Sequence, residues 1–201
     1  MNYLAHVYLA RHSDDAMFGA LLGDFVKMDG ASQYAPSIAQ EILLHRKVDS
    51  YTDQHPIIQD ARRLFSDQRR RYAGIALDIF YDHILIKQWS RYSELAVSQF
   101  IQGFYQALIE RSALFPPPLV FAVPRMLEQD WLGSYAEFSG VELALRRVSS
   151  RLSRNGILLQ QTSIDLRENY DSLEQGFVDF FPELIDYVTR QRQAMFAETR
   201  V

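Results

Sequence analysis

Apolar residues recur at three- and four-residue spacing along nearly the whole chain. One such run contains Ile38, Ile42 and Val48, and another covers residues 75–84. This spacing places apolar side chains on one face of an α-helix, and no segment keeps the strict alternation of a half-buried β-strand. The pattern therefore predicts an all-α fold.

Prolines, capping residues and the limits of the apolar pattern indicate where helices begin and end. Pro56 should open a helix directly after the segment 53–55, and the run of prolines at 116–118 is a clear break. The predicted helices cover roughly residues 14–26, 37–53, 57–71, 74–90, 94–112, 120–131, 134–153 and 164–196.

The chain has 201 residues, of which 48% are hydrophobic and 23% charged. This length suffices for one sizeable core, so residues 1–201 are expected to form a single domain. A formal net charge of −4 argues against nucleic acid as the main partner. Polar residues interrupt the N-terminal apolar residues before a signal or membrane span can form, so we expect a protein that is neither secreted nor membrane-spanning.

Cysteine is absent, which excludes disulfides and thiolate metal ligands. This composition fits the reducing cytoplasm, where we expect the protein to be located. Any metal must then be held by His, Asp and Glu side chains.

Two segments combine potential metal ligands at helical spacing. His45, Asp49 and Asp53 are four residues apart, so a helix places them along one stripe. Asp78 and Asp82 repeat this spacing among apolar neighbours. Because like-charged carboxylates at this distance repel and are costly to bury, two such stripes suggest a compensating cation. Mg²⁺ or Mn²⁺ suits oxygen ligands together with one or two imidazoles.

Taken singly, these residues have structural alternatives. Asp49 is more often solvated or paired with Arg46 than bound to a metal, Asp53 is a candidate helix cap, and His83 is a candidate core histidine. Asp24 lies inside an apolar run, where an acid needs a partner or a proton. The clustering of such residues before residue 84 indicates a site, although structural ion networks also cluster charges.

Several motifs together resemble those of a known family. They are Met1–His6, Leu22–Val26, His45–Asp49 with Thr52 and Asp53, and Leu77–Asp78 with Asp82 and His83. In letters, order and spacing, they resemble the motif series of the acyl carrier protein phosphodiesterases, and the similarity covers nearly the whole chain. This resemblance implies an all-helical fold like that of the HD-type metal-dependent phosphohydrolases. The adjacent Asp82-His83 pair is in the reverse order to the HD pattern.

The resemblance also implies a reaction. A phosphodiesterase of this family hydrolyses the bond between 4′-phosphopantetheine and a serine of holo-acyl carrier protein, and it requires Mn²⁺ or Mg²⁺. The acidic stripes also suggest a bound cation. A divalent ion would lower the pKa of a bound water and neutralise the phosphodiester. The predicted metal ligands are His45, Asp49, Asp78, Asp82 and Asp53. The catalytic candidates are Asp24, His6 and His83. Asp24 is expected next to the metal ligands, and His6 and His83 are expected to orient a ligand or to protonate the leaving group.

An acidic enzyme must meet a strongly acidic carrier protein through a local basic patch. The predicted docking residues are Arg62, Arg63, Arg69, Arg70 and Arg71. A second arginine group at residues 146–154 is an alternative, and solvated helix faces paired with local acids are the structural explanation of both.

Two other functions are compatible with the sequence. A nucleotide phosphohydrolase of HD type would share the metal site and differ in its substrate. A non-catalytic helical adaptor would bind carrier protein through the basic patch and contain no metal.

Overall fold

The computed structural model describes residues 1–198, except for the side chains of Met28 and of residues 196–198. Within this range the chain forms helices and no β-strand, which confirms the all-α prediction. The α-helices are α1 (Tyr3–Leu9), α2 (Asp14–Leu22), α3 (Pro36–Gln54), α4 (Pro56–Arg63), α5 (Ala73–Lys87), α6 (Val97–Glu110), α7 (Pro117–Glu128), α8 (Phe138–Ser149), α9 (Gly156–Glu168) and α10 (Tyr170–Glu198). Short 3-10 helices lie at Met28–Gln33, Arg70–Tyr72, Trp89–Arg91, Ser112–Leu114 and Gly133–Ala136.

Prolines mark two helix starts that were predicted to within one residue. α3 begins at Pro36 and α4 at Pro56, because the fixed φ and missing N–H of proline suit the first helical turn. The predicted helix 57–71 is wrong in its second half, since α4 ends at Arg63. Beyond it, the backbone N–H of Ser66 donates to Asp165 of α9, so tertiary contacts replace the helix.

Two further differences concern the ends of the chain. α1 was not predicted, because its seven residues are too few for a stable isolated helix. The predicted helix 164–196 is two helices that meet at Asn169. The Asn169 side chain donates to the carbonyl oxygens of Asp165 and Leu64, so it satisfies backbone groups at the break.

Buried apolar side chains form one continuous core. α10 contributes Phe177, Phe180 and Phe181, each with 0% of its surface exposed. Burial of one such side chain stabilises the fold by about 1.5–3 kcal/mol. No helix within residues 1–198 is long and apolar enough to cross a lipid bilayer.

Helices α2 and α3 approach each other closely, and this contact positions the candidate site. A Cβ added to Gly19 of α2 would lie 2.5 Å from the carbonyl oxygen of Ile38 on α3, so only glycine allows this approach. α1 packs against both α2 and α5. The end of α2 therefore meets the middle of α3 beside α1 and α5.

Candidate functional site

Two buried histidines form the centre of the candidate site. His6 comes from α1 and His45 from α3, and only 2% and 4% of their surfaces are exposed. Their rings are stacked, with centroids 3.7 Å apart and planes inclined by 11°. The fold thus brings together two imidazoles from distant parts of the sequence.

Asp49 bridges the two histidines. It lies one helical turn after His45, with Oδ2 3.2 Å from Nε2 of His45 and Oδ1 3.1 Å from Nε2 of His6. One ligand atom from each of the three residues lies within 4.8 Å of the others, so they form a group that could hold a metal ion. Two imidazoles and a carboxylate are a common donor set for divalent transition metals.

The orientation of His45 is fixed on its other side. Nδ1 donates a hydrogen bond of 2.7 Å to the carbonyl oxygen of Ala20, so Nε2 is directed at the carboxylates. Gly23 leaves the space that the ring needs, because a Cβ at this position would lie 2.2 Å from Cγ of His45. The glycine was part of a motif in the sequence, but its role depends on a contact that the sequence does not reveal.

Carboxylates line the open side of this centre. The side chains of Asp24, Asp49 and Asp78 are 42%, 43% and 39% exposed. Oδ1 of Asp24 lies 3.6 Å from Nε2 of His45, and Oδ1 of Asp78 lies 2.9 Å from the Met1 ammonium group. The site therefore has a buried histidine side and a solvent-facing acidic side that attracts cations.

The electrostatic environment gives the two histidines different pKa values. Burial lowers the pKa of His6 to about 4, and the neighbouring positive charge of His45 adds to this effect. Burial also acts to lower the pKa of His45, but the carboxylates of Asp24 and Asp49 outweigh it and raise this pKa to about 9. At neutral pH, His45 is charged and His6 is neutral. A bound cation would replace the proton on His45.

Asp82 has a different environment from Asp78 although both belong to α5. Its side chain is 0% exposed and accepts hydrogen bonds from the backbone N–H groups of Leu4 and Ala5, at 2.8 and 2.9 Å. Burial raises the pKa of Asp82 to about 7, although these two hydrogen bonds act to lower it. The carboxylate holds the N-terminal end of α1, which carries His6, and Asn2 supplies no side-chain cap there.

His83 lies apart from the histidine pair, and both of its ring nitrogens have partners. Nδ1 donates to the carbonyl oxygen of Tyr135 at 2.7 Å, and Nε2 accepts from the hydroxyl of Tyr170 at 2.9 Å. With 3% of its surface exposed, it has the contacts of a core histidine.

Asp53 also lies apart from the cluster. Its side chain is 63% exposed and forms an ion pair with Arg62 of α4. Arg63 pairs in the same way with Asp60, and both of those side chains are about 70% exposed. These contacts match the alternative of solvated helix faces with local acids.

The other arginines of the predicted docking group are also engaged within the fold. Arg69 forms a two-pronged ion pair with the buried Asp165, at 2.6 and 3.0 Å. Arg70 pairs with Asp67, and the guanidinium group of Arg71 lies 4.7 Å from the centre of a neighbouring tyrosine ring. Arg69 thus fixes the segment after α4, and its guanidinium group has little capacity left to bind a partner.

Comparison with known proteins identifies the family. The family described as "Acyl carrier protein phosphodiesterase" matches residues 1–184. A relative with this description from Salmonella paratyphi A is 32% identical over 192 residues, which cover 95% of this chain and 99% of the relative. Another from Serratia proteamaculans is 33% identical over 186 residues, which cover 92% and 96% of the two chains. No solved structure matches the chain. The resemblance inferred from the motifs is confirmed, and the chain belongs to the acyl carrier protein phosphodiesterase family.

Proposed function

We propose that this protein removes 4′-phosphopantetheine from holo-acyl carrier protein by hydrolysis, with a divalent ion held by His6, His45 and Asp49. The observation that carries the proposal is the bridging of two buried imidazoles by one carboxylate in a chain of this family. The products are apo-carrier protein, with a free serine hydroxyl, and phosphopantetheine.

The donor set fits such an ion. Nε2 of His45 is directed away from the Ala20 carbonyl and toward the acidic side of the site, where a ligand atom is needed. Asp24 and Asp78 add negative charge beside the three donors without belonging to the compact group. When bound, Mn²⁺ or Mg²⁺ would lower the pKa of a coordinated water and neutralise charge on the phosphodiester.

The remaining residues orient the reactants. Asp24 is half-exposed beside His45, and we assign its carboxylate to accept a proton from the attacking water and to return it to the leaving serine oxygen. Asp78 is partly exposed beside the Met1 ammonium group, and its negative charge favours the arrival of cations. Asp82 keeps His6 in place through the start of α1.

The decisive experiment incubates the purified protein with holo-carrier protein and Mn²⁺ and follows loss of the prosthetic group by mass spectrometry. We expect apo-carrier protein to form, no reaction with excess EDTA, and recovery when Mn²⁺ is restored. Nucleotides are tested in parallel, with release of phosphate or pyrophosphate as the measurement. Cleavage of nucleotides alone would favour the nucleotide phosphohydrolase, and a protein that binds carrier protein but contains no metal would be the adaptor.

A further inference from the structure

An open cavity of about 450 Å³ lies between α7 and α8. Its lining includes Phe121, Arg125, Gln129, Trp131, Arg147 and Arg151, and the described residues of the lining contain no carboxylate. Positions 118, 121, 122, 125 and 129 share one face along α7 and its C-terminal end. Position 147 lies in the last turn of α8, and position 151 lies two residues beyond the end of that helix. The cavity is therefore a groove between two helix faces.

The groove contains three arginines, Arg125, Arg147 and Arg151. Within the described part of the chain, neither Arg125, Arg147 nor Arg151 forms an ion pair with a carboxylate. Arg147 instead donates to Oε1 of Gln129 at 2.8 Å and lies 5.0 Å from the centre of the Trp131 ring. The groove thus concentrates positive charge in a protein whose formal net charge is −4.

Apolar side chains lie beside this charge. Phe121 is 72% exposed and is one helical turn from Arg125, and Val120 is 49% exposed. A solvent-facing Phe next to unpaired arginines is typical of a protein interface, where aromatic and arginine side chains are enriched. A small anion would need the charge but would gain little from Phe121.

A series of contacts connects the groove to the candidate metal centre. Trp131 leads into the 3-10 helix that carries Tyr135, and the Tyr135 hydroxyl accepts a hydrogen bond of 2.7 Å from the side chain of Asn2. The neighbouring carbonyl oxygen of Met1 lies 3.1 Å from Nε2 of His6. The pKa of Tyr3 depends on charges from both regions. Burial raises this pKa to about 12, the charge of Asp24 beside the metal centre raises it further, and the charge of Arg151 in the groove acts to lower it.

We propose that this groove, formed by Phe121, Arg125, Trp131, Arg147 and Arg151, is the docking surface for an acidic, partly apolar face of the carrier protein beside its modified serine. This inference rests on the proposed function. The bond to be cleaved joins phosphate directly to a serine oxygen, so the folded carrier protein itself must come against the metal centre. A docking surface must therefore lie near that centre, to which the contacts through Tyr135 and Asn2 connect this groove.

The test uses the double variant Arg125→Glu/Arg151→Glu in the full-length protein. Its matched control is Arg91→Glu/Arg190→Glu, which makes the same charge change at two exposed arginines outside the groove. Circular dichroism and thermal denaturation establish that both variants fold. We measure Kd for fluorescently labelled apo-carrier protein and, separately, KM and kcat with holo-carrier protein and Mn²⁺.

We expect the groove variant to raise Kd and KM by roughly tenfold or more, with a smaller effect on kcat, because such charges orient and hold the partner. Added salt should weaken the wild type more than this variant. An unchanged Kd, or an equal loss in the control, would overturn the docking surface. Inhibition by free phosphopantetheine is measured on the same variants. If the groove variant loses this inhibition but keeps its Kd for apo-carrier protein, the groove holds the released product and the docking surface is overturned.

The binding measurement separates the two proposals. If the wild type binds carrier protein through the groove but releases no phosphopantetheine, the proposed function fails and the docking surface stands. If the wild type cleaves and the groove variant binds normally, the docking surface alone fails. If the wild type neither binds nor cleaves carrier protein, both fail.

Discussion

His6 and His45 lie face to face, with ring centroids 3.7 Å apart, and Asp49 contacts Nε2 of each ring. Two imidazolium ions in this position would repel each other, so one ring is held neutral and the other charged. The environment assigns the charge to His45, whose pKa is raised to about 9 by the carboxylates of Asp24 and Asp49 against the opposing effect of burial.

This arrangement predicts how the stability of the protein depends on pH without metal. The folded pKa of His45 is about 9 and its ordinary value is 6.5, so its charge stabilises the fold fully below the ordinary value. The contribution disappears as the pH rises through the folded pKa. His6 is neutral throughout this range and does not contribute, since its pKa is about 4.

The measurement compares the melting temperatures of the wild type and His45→Gln in EDTA, between the ordinary pKa of His45, 6.5, and its folded pKa of about 9. We expect the wild-type advantage to be largest at the acidic end and to shrink toward the alkaline end. A difference that stays constant with pH would mean that His45 does not carry this charge.

Gly23 provides a test of the packing that orients His45. In Gly23→Ala the added Cβ would lie 2.2 Å from Cγ of His45, so the ring must move. We expect weaker metal binding and lower turnover. The matched control is Gly103→Ala in α6, where an added Cβ meets no heavy atom of the described residues within 4 Å apart from the adjoining helix backbone. This control should gain about 0.5–1 kcal/mol of stability. Metal titration of both variants decides, and full metal affinity in Gly23→Ala would refute the role of this glycine.

Some parts of the site were predictable because they depend on local geometry. The spacing of His45 and Asp49 fixes their positions one above the other on any helix, and the structure brings them into contact. The same spacing also selected Asp53, which α3 leaves exposed beside Arg62. Periodicity identifies a stripe, but it does not say how far along the stripe the neighbouring helices extend.

Other parts depend on packing between distant segments. α1 is too short to be predicted from its own sequence, so the meeting of His6 with His45 could not be inferred from spacing. Asp82 follows Asp78 by one turn, yet it is used to hold the start of α1. The arginine groove likewise combines Arg125 from α7 with Arg147 from α8 and Arg151 from the segment after it. Such combinations require the tertiary fold.

Asp82 should act through α1 and not as a ligand. Asp82→Ala leaves the backbone N–H groups of Leu4 and Ala5 without an acceptor, and each such buried group costs about 1–3 kcal/mol. We expect a clear fall in the free energy of unfolding, accompanied by weaker metal binding as His6 shifts. Asp82→Asn keeps one carbonyl acceptor and should recover part of both losses. If Asp82→Asn instead has wild-type stability and binds no metal, Asp82 is a ligand.

The final prediction separates Asp49 from Asp53, two acids on the same helical stripe of α3. Asp49 bridges His6 and His45, whereas Asp53 is 63% exposed and paired with Arg62. We expect Asp49→Asn to lower the affinity for Mn²⁺ by more than about tenfold and to abolish turnover of holo-carrier protein, with its helical circular dichroism retained. Asp53→Asn changes the same charge one turn away and should keep both properties, because an exposed ion pair contributes little. Metal content after dialysis and turnover are measured on the same preparations. Equal loss of metal in both variants would extend the site along the whole stripe, and equal retention would remove Asp49 from it.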